Sequence, residues 1–309
     1  MSPDARLLKK LVERLSDYRE TVPVYEIADR RLEEMEEATL SAGQRFVATA
    51  GLDEMRYDLR RGRKRTLILF QEGIRASVFH ASGAISLSQG LHPMEDVITT
   101  EADDADERML RRWTDEATKK LELGPVSRAE PLRFERLWRL KAAGMKEDGE
   151  RGPVALTRVV GAYRRFIGRL PVWGRASVFV ELAAEGRVAA AGVDWRPIAP
   201  KPFERTKVLP PNEAGARVLA ELQKFAQGRR PSGKDYEPVM FSLGYFSLPK
   251  RRHQAIMQPV FVAMFEPTGP IPSLGRMIVV PAAPNAYEPI ARPIAAPPLL
   301  DKEKISAGR

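Results

Sequence analysis

Hydrophobic residues recur along this chain at two spacings, which divide it into helices and strands. Leu7, Leu8, Leu11, Val12 and Leu15 form a helical stripe interrupted by charges, so residues 1–20 read as an amphipathic helix, not as the apolar core of a signal peptide. Leu32, Met35, Thr39, Ala42 and Phe46 repeat the helical spacing, with Asp29 placed to cap that helix and Gly51 to end it. A helix is predicted near 104–123, capped by Asp103 or Asp104, with Leu110, Trp113, Ala117 and Leu121 on its buried face. Another is predicted near 212–226, opened by Pro210-Pro211-Asn212 and carrying Gly215, Val218 and Leu222 on one face.

Between the helices the spacing changes to that of strands. Thr66 to Phe70, Ile74 to Phe79 and Ala84 to Ser88 are short apolar runs joined by polar-glycine links, which are hairpin signals. Further runs lie near 132–140, 154–167, 176–182 and 188–195, then near 203–209, 239–247, 255–265 and 277–280. Alternation is clearest where Val178, Val180 and Leu182 face one way while Ser177, Phe179 and Glu181 face the other.

An extended segment, a capped helix and then strands occur in that order three times. The expected fold class is therefore α+β, with tandem units of one helix packed on an antiparallel sheet. The expected boundaries are a helix over 1–20, units over 21–95, 96–200 and 201–281, and an extended Pro/Ala-rich tail over 282–309.

The segment from Arg158 to Pro197 carries a resemblance. Tyr163-Arg164-Arg165-Phe166 leads into Gly168-Arg169-Leu170-Pro171-Val172-Trp173-Gly174, then Val178-Phe179-Val180 and Glu185-Gly186-Arg187-Val188. This order resembles the PepSY-like and fungalysin/thermolysin-propeptide-like modules of bacterial secreted proteins, which are cystatin-like in shape. The resemblance implies a module that binds or inhibits other proteins, often proteases.

Composition narrows the chemistry. The chain has 309 residues and no cysteine, which excludes disulfides, thiol nucleophiles and cysteine-ligated metals. No run approaches the roughly 18 apolar residues of a membrane span. Read as it stands, the sequence is that of a cytoplasmic protein; a leader removed beforehand would make it an exported one. His80, His92 and His253 are the only histidines, none has a partner at helical spacing, and no phosphate loop or nucleophile elbow occurs. No catalytic residue, metal site or cofactor is expected. Glu33, Glu34, Glu36 and Glu37 are expected to form a solvated helix face.

Two binding surfaces stand out. Trp173 sits in a turn between Arg169 and Arg175, with Leu170 and Val172 beside it, and an exposed Trp next to Arg suits a protein contact. A protein partner is the first expectation. The formal charge is +9, and its densest run, Arg60-Arg61-Gly62-Arg63-Lys64-Arg65, is expected on an exposed hairpin loop. Lys250-Arg251-Arg252 makes a second basic turn. Convergence of the two loops would create an anion site, so a nucleic acid or other polyanion is the second expectation. An enzyme with a dispersed site is the third.

Overall fold

The computed structural model describes residues 4–52, 56–90, 97–99, 106–124, 129–145, 149–175, 177–225, 235–268 and 275–290. In chain order the elements are α1 (Ala5–Glu13), β1 (Leu15–Ser16), β2 (Thr21–Glu26), α2 (Leu32–Thr49), β3 (Tyr57–Arg61), β4 (Arg65–Phe70), β5 (Arg75–Phe79) and β6 (Ala84–Ser88). Then come α3 (Glu107–Lys120), β7 (Leu132–Met145), β8 (Arg151–Ile167), β9 (Leu170–Trp173), β10 (Val178–Leu182), β11 (Val188–Val193) and β12 (Glu204–Lys207). The chain closes with α4 (Pro211–Phe225), β13 (Tyr236–Phe246), β14 (Ile256–Met257), β15 (Pro259–Pro267) and β16 (Arg276–Pro281).

Three helices fall where the apolar spacing places them; the first, expected over 1–20, ends at Glu13, with Leu15 in β1, and the expected tandem helix-on-sheet units do not form. Thirteen strands join one mixed sheet, ordered β16-β15-β13-β9-β8-β10-β11-β6-β5-β4-β3, with β7 on the second edge of β8 and β1 beside β13. The expected boundaries cut through paired elements. Leu7 and Leu11 of the first helix pack on Val218 and Leu222 of α4, and β2 pairs with β12 and β14. Backbone pairing across sequence-distant segments overrides the local order here, because every strand needs hydrogen-bonding neighbours and alternation alone does not say which. The caps expected at Asp103 and Asp104 lie outside the described residues; Asp106 caps α3, its carboxylate accepting from the Arg108 amide at 2.9 Å. At α2 the N-cap is Arg31, not Asp29, and Glu34 accepts from its guanidinium at 2.7 Å.

The sheet has two wings. In the first, α2 followed by β3–β6 and α3 followed by β7, β8, β10 and β11 are two sets with the same order. They meet at their last strands, where Leu87 opposes Ala191 and Ile85 opposes Val193 in antiparallel register. Ala42 and Phe46 of α2, Ala117 of α3 and Leu121 at the C-cap of α3 bury one face of this wing against Ile68, Ala76, Leu87, Val178, Val180 and Ala191. In the second wing, α1 and α4 cover Phe241, Leu243, Phe261 and Ile278. None of the helices in the described residues is long and apolar enough to cross a membrane.

Strand β9 is the joint. It runs antiparallel to the end of β8 through Phe166–Pro171 and Ile167–Leu170, and parallel to the end of β13 through Tyr245–Val172 and Phe246–Trp173. Gly244 of β13 is packed so closely here that a Cβ would collide with the Pro171 carbonyl and lie 2.7 Å from Trp173 Nε1. The neighbouring atoms are backbone and a wedged indole, which cannot give way cheaply. Gly244→Ala should therefore cost about 1–3 kcal/mol in urea denaturation. Gly144→Ala, where a Cβ meets nothing within 4 Å, should stay within about 0.5 kcal/mol.

Candidate functional site

The face of the first wing opposite α2 and α3 carries no helix among the described residues. Residues paired directly across strands share a face, so its rows can be read from the register. One row runs Ala162, Phe179, Gly192, Ser86, Ser77, Leu67 and Arg60. Beside it Trp138 opposes Val160, Arg75 opposes Ser88, and Arg65 opposes Phe79. Trp138 is 44% exposed and Leu140 41%, unusual for large apolar side chains in a strand. The Phe179 ring is pressed onto Gly192, where any Cβ would overlap it.

One end of this face is closed by a loop that two buried arginines hold. Arg165 is 1% exposed; it pairs with the Glu130 carboxylate, donates to the Arg196 carbonyl at 2.5 Å and stacks over Trp195. Arg196, equally buried, donates to the carbonyls of Leu248 (2.9 Å), Arg252 (3.0 Å), Pro249 (3.2 Å) and Ala81 (3.3 Å). Burial pushes both guanidinium groups below the usual arginine value. The Ser82 hydroxyl donates to the Lys250 carbonyl at 2.8 Å, and buried Gln254 bonds the Leu248 amide and the Phe246 and Ile256 carbonyls. The chain from 247 to 254 is thereby fixed over the sheet end, with Lys250 Nζ 4.2 Å from the centre of the Phe79 ring.

Lys250, Arg175, Asp194, Phe179, Trp138 and Ser86 line a cavity of about 290 Å³ on this face. Its charges are unbalanced. The Lys250 ammonium is pushed below the usual lysine value by burial and then by Arg175, with Arg251 and Arg65 adding to the effect and Asp194 opposing it. The Asp194 carboxyl is pushed above the usual aspartate range by burial, against the pull of Arg196, Arg175 and Lys250. Its Oδ1 is closed off from solvent and has no hydrogen-bond partner. Three titratable groups face this space, and no nucleophile–base pair is among its lining residues. No group of three His, Asp or Glu residues among the described residues is arranged to hold a metal ion.

The sequence-derived candidates separate on this geometry. The 168–174 turn is no free tip: Leu170 and Val172 are 6% and 2% exposed, and Trp173 lies under the Arg164 guanidinium at 4.5 Å. Strand pairing on both sides draws Leu170, Val172 and Trp173 into the sheet, which corrects the expectation of a protein-contact tip for these three, while Arg169 stays exposed at the β8–β9 turn. Arg175 stays exposed and joins the cavity instead. Of the basic hairpin, Arg60 pairs with Asp58 at 2.7 Å and Arg61 with Glu36 at 2.6 Å. Arg63 and Lys64 are exposed at the turn, and Arg65 heads β4 beside Phe79. Arg251 and Arg252 are exposed on the second basic turn. Arg65 and Lys250 are thus the members that meet. Glu36 is 5% exposed and accepts from Arg61 and Thr66, so this part of the acidic helix face is structural and not solvated. His92 lies outside the described residues; His80 and His253 line a separate cavity of about 220 Å³. Sequence reasoning misses Asp194, Trp138 and Phe179 as residues that line this cavity. For Phe179 the signal is present, since alternation sets it opposite Val178 and Val180.

No family model and no curated protein matches the sequence. Among solved structures, the fold is similar to that of an uncharacterized protein from Eubacterium rectale ATCC 33656. The TM-score is 0.50 at 10% identity, covering 94% of this chain and 100% of that one. At that identity the likeness is one of fold.

Two outcomes follow from the buried charges. Arg196→Met strips the donors from four carbonyls at once, the Leu248 carbonyl among them buried, so it should cost about 3 kcal/mol or more in urea denaturation. The second concerns pH. Asp194 holds its proton more tightly folded than unfolded, so its contribution to stability is lost as pH rises from near its unfolded value of 3.8 through its raised folded value. Asp194→Asn removes that loss. The difference in melting temperature between variant and parent should therefore move in the variant's favour as pH rises across that window, then level off. Parallel curves would show that burying this carboxyl has no cost.

Proposed function

We propose that this chain is a non-enzymatic binding protein that takes single-stranded nucleic acid on the helix-free face of its sheet. The observation that carries the reading is the meeting of Arg65, Arg175 and Lys250 around one end of that face. None of the three has a carboxylate within ion-pair distance among the described residues, whereas Arg60, Arg61, Arg164 and Arg165 all do. Unpaired cations held close together are costly unless an anion visits them. The exposed Trp138 and the Phe179 ring supply stacking surface beside the cations, and stacking on aromatics is how unpaired bases are held without sequence preference. Arg75, exposed on the same face, extends the positive track toward β4. The 168–174 turn, built into the sheet, lends no support to the alternative of a protein partner.

Fluorescence anisotropy with a labelled single-stranded oligonucleotide at a series of salt concentrations tests this. Affinity should fall steeply with salt. The variant carrying Arg65→Ala, Arg175→Ala and Lys250→Ala should flatten the log–log slope by about 2, at roughly 0.7 for each phosphate no longer neutralised. Trp138→Ala should weaken binding by about 1–3 kcal/mol at every salt concentration, with the slope unchanged. A folded triple variant with the parent's slope would overturn the reading.

A further inference from the structure

The cavity at the cationic end of the helix-free face is more specific than a track for a polyanion needs. A track requires only spaced charge and stacking surface. This cavity brings an apolar, aromatic lining together with two cations and a carboxyl. Its floor is the Phe179 ring laid on Gly192, with Val160 beside it and Trp138 standing as one wall. Arg175 and Lys250 line the same cavity, close enough for the charge of one to act on the other. The Asp194 carboxyl lines the same space, with its Oδ1 turned away from solvent and its other oxygen left to face the cavity.

Each feature asks for one part of a ligand. Two cations with no carboxylate partner take a doubly charged oxyanion such as a phosphate monoester. The cavity-facing side of the Asp194 carboxyl takes an N–H or O–H close to that anion. The floor and wall, a phenyl ring and an indole, take a flat body by stacking. A volume of about 290 Å³ lies at the small end for ligand pockets, so the body is a single ring system with its sugar and not a chain of them.

Building on the nucleic-acid reading above, we propose that this cavity is a mononucleotide site, with the phosphate on Arg175 and Lys250, a ligand hydroxyl or amino group on Asp194, and the base between Phe179 and Trp138. The same chemistry has two sources, a free nucleoside monophosphate or the 5′-phosphorylated end of a strand. In the second case the cavity anchors a terminus and the rest of the helix-free face carries the strand.

Calorimetric titration of the full chain with adenosine 5′-monophosphate, adenosine and inorganic phosphate separately tests this, alongside anisotropy with otherwise identical 5′-phosphorylated and 5′-hydroxyl oligonucleotides. The monophosphate should bind at least tenfold more tightly than adenosine or phosphate. Lys250→Ala should remove most of its advantage over adenosine, and Phe179→Leu most of its advantage over phosphate. Both variants are to be checked for an unchanged melting temperature. Phe179→Leu keeps the floor filled while removing the ring, so loss there reads stacking and not collapse. A 5′-phosphate that tightens oligonucleotide binding identifies the strand end as the source. Equal affinity of both oligonucleotides, with the monophosphate still favoured, identifies the free nucleotide. Phosphate and the monophosphate binding equally would overturn the site while leaving the nucleic-acid reading intact, provided the oligonucleotides still bind in a salt-dependent way. Absence of binding by every probe would remove both.

Discussion

Two guanidinium groups sit where almost no water reaches them, and each has to find its acceptors inside the protein. Arg165 takes a carboxylate, a carbonyl and an indole face; Arg196 takes carbonyls from two stretches of chain more than 160 residues apart in sequence. Removing a cation from water costs several kcal/mol unless its donors are matched. The segments that supply the acceptors are therefore tied to one another: the turn after β5, the stretch between β11 and β12, and the loop after β13. Through Arg196 the second wing presents Lys250 to the first wing's open face. The cationic end of the cavity depends on this tie, because nothing on the sheet itself would place an ammonium there.

The cavity is assembled from both wings, yet the covalent path between its sides is long. Trp138, Phe179 and Ser86 come from strands of the first wing, and their relative positions are set by register. Lys250 comes from beyond β13, and its position is set by hydrogen bonds to backbone carbonyls. A side chain held by register can slip only in steps of two residues if it is to stay on its face. One held by a buried network keeps its place through several bonds that share a member, here Arg196, and loses it when that member is removed.

Much of the local structure is legible in the sequence. Apolar residues at helical spacing mark α2, α3 and α4, and alternation around Val178 and Val180 marks which side of β10 is buried. Strand partners are not legible, because a strand that alternates correctly fits several neighbours equally well. Gly168, Pro171 and Gly174 have the composition of an exposed hairpin tip, and only pairing to β8 and β13 makes that segment a strand inside the sheet. Arg165 and Arg196 are hidden for another reason: an arginine in a basic sequence reads as solvated, and its burial depends on carbonyls far away in the chain. Glu36 is hidden in the same way, since its partners Arg61 and Thr66 arrive from β3 and β4. Asp194 carries no signal because one acidic residue between a strand and a turn has no pattern around it.

A sheet this wide that does not close into a barrel must end somewhere, and among the described residues its edges are β3, β7, β16 and the two-residue β1. Strand edges are templates for further strands, including those of another molecule. Here β3 is exposed along its whole length and carries Arg60 and Arg61, while β7 presents Arg133, Arg136, Arg139 and Lys141 and breaks its ladder at three irregular points. On β3 the two arginines are paired with Asp58 and Glu36, so the excess positive charge lies on β7, where it repels the same edge of a second copy, and an interrupted ladder offers a poor template. Part of the net charge of +9 thus works against self-association, apart from any ligand. Salt screens charge wherever it is exposed. The conditions that loosen a bound anion from the open face are therefore the same conditions that lower the barrier to edge-to-edge assembly, and solubility and ligand release are tied to one variable.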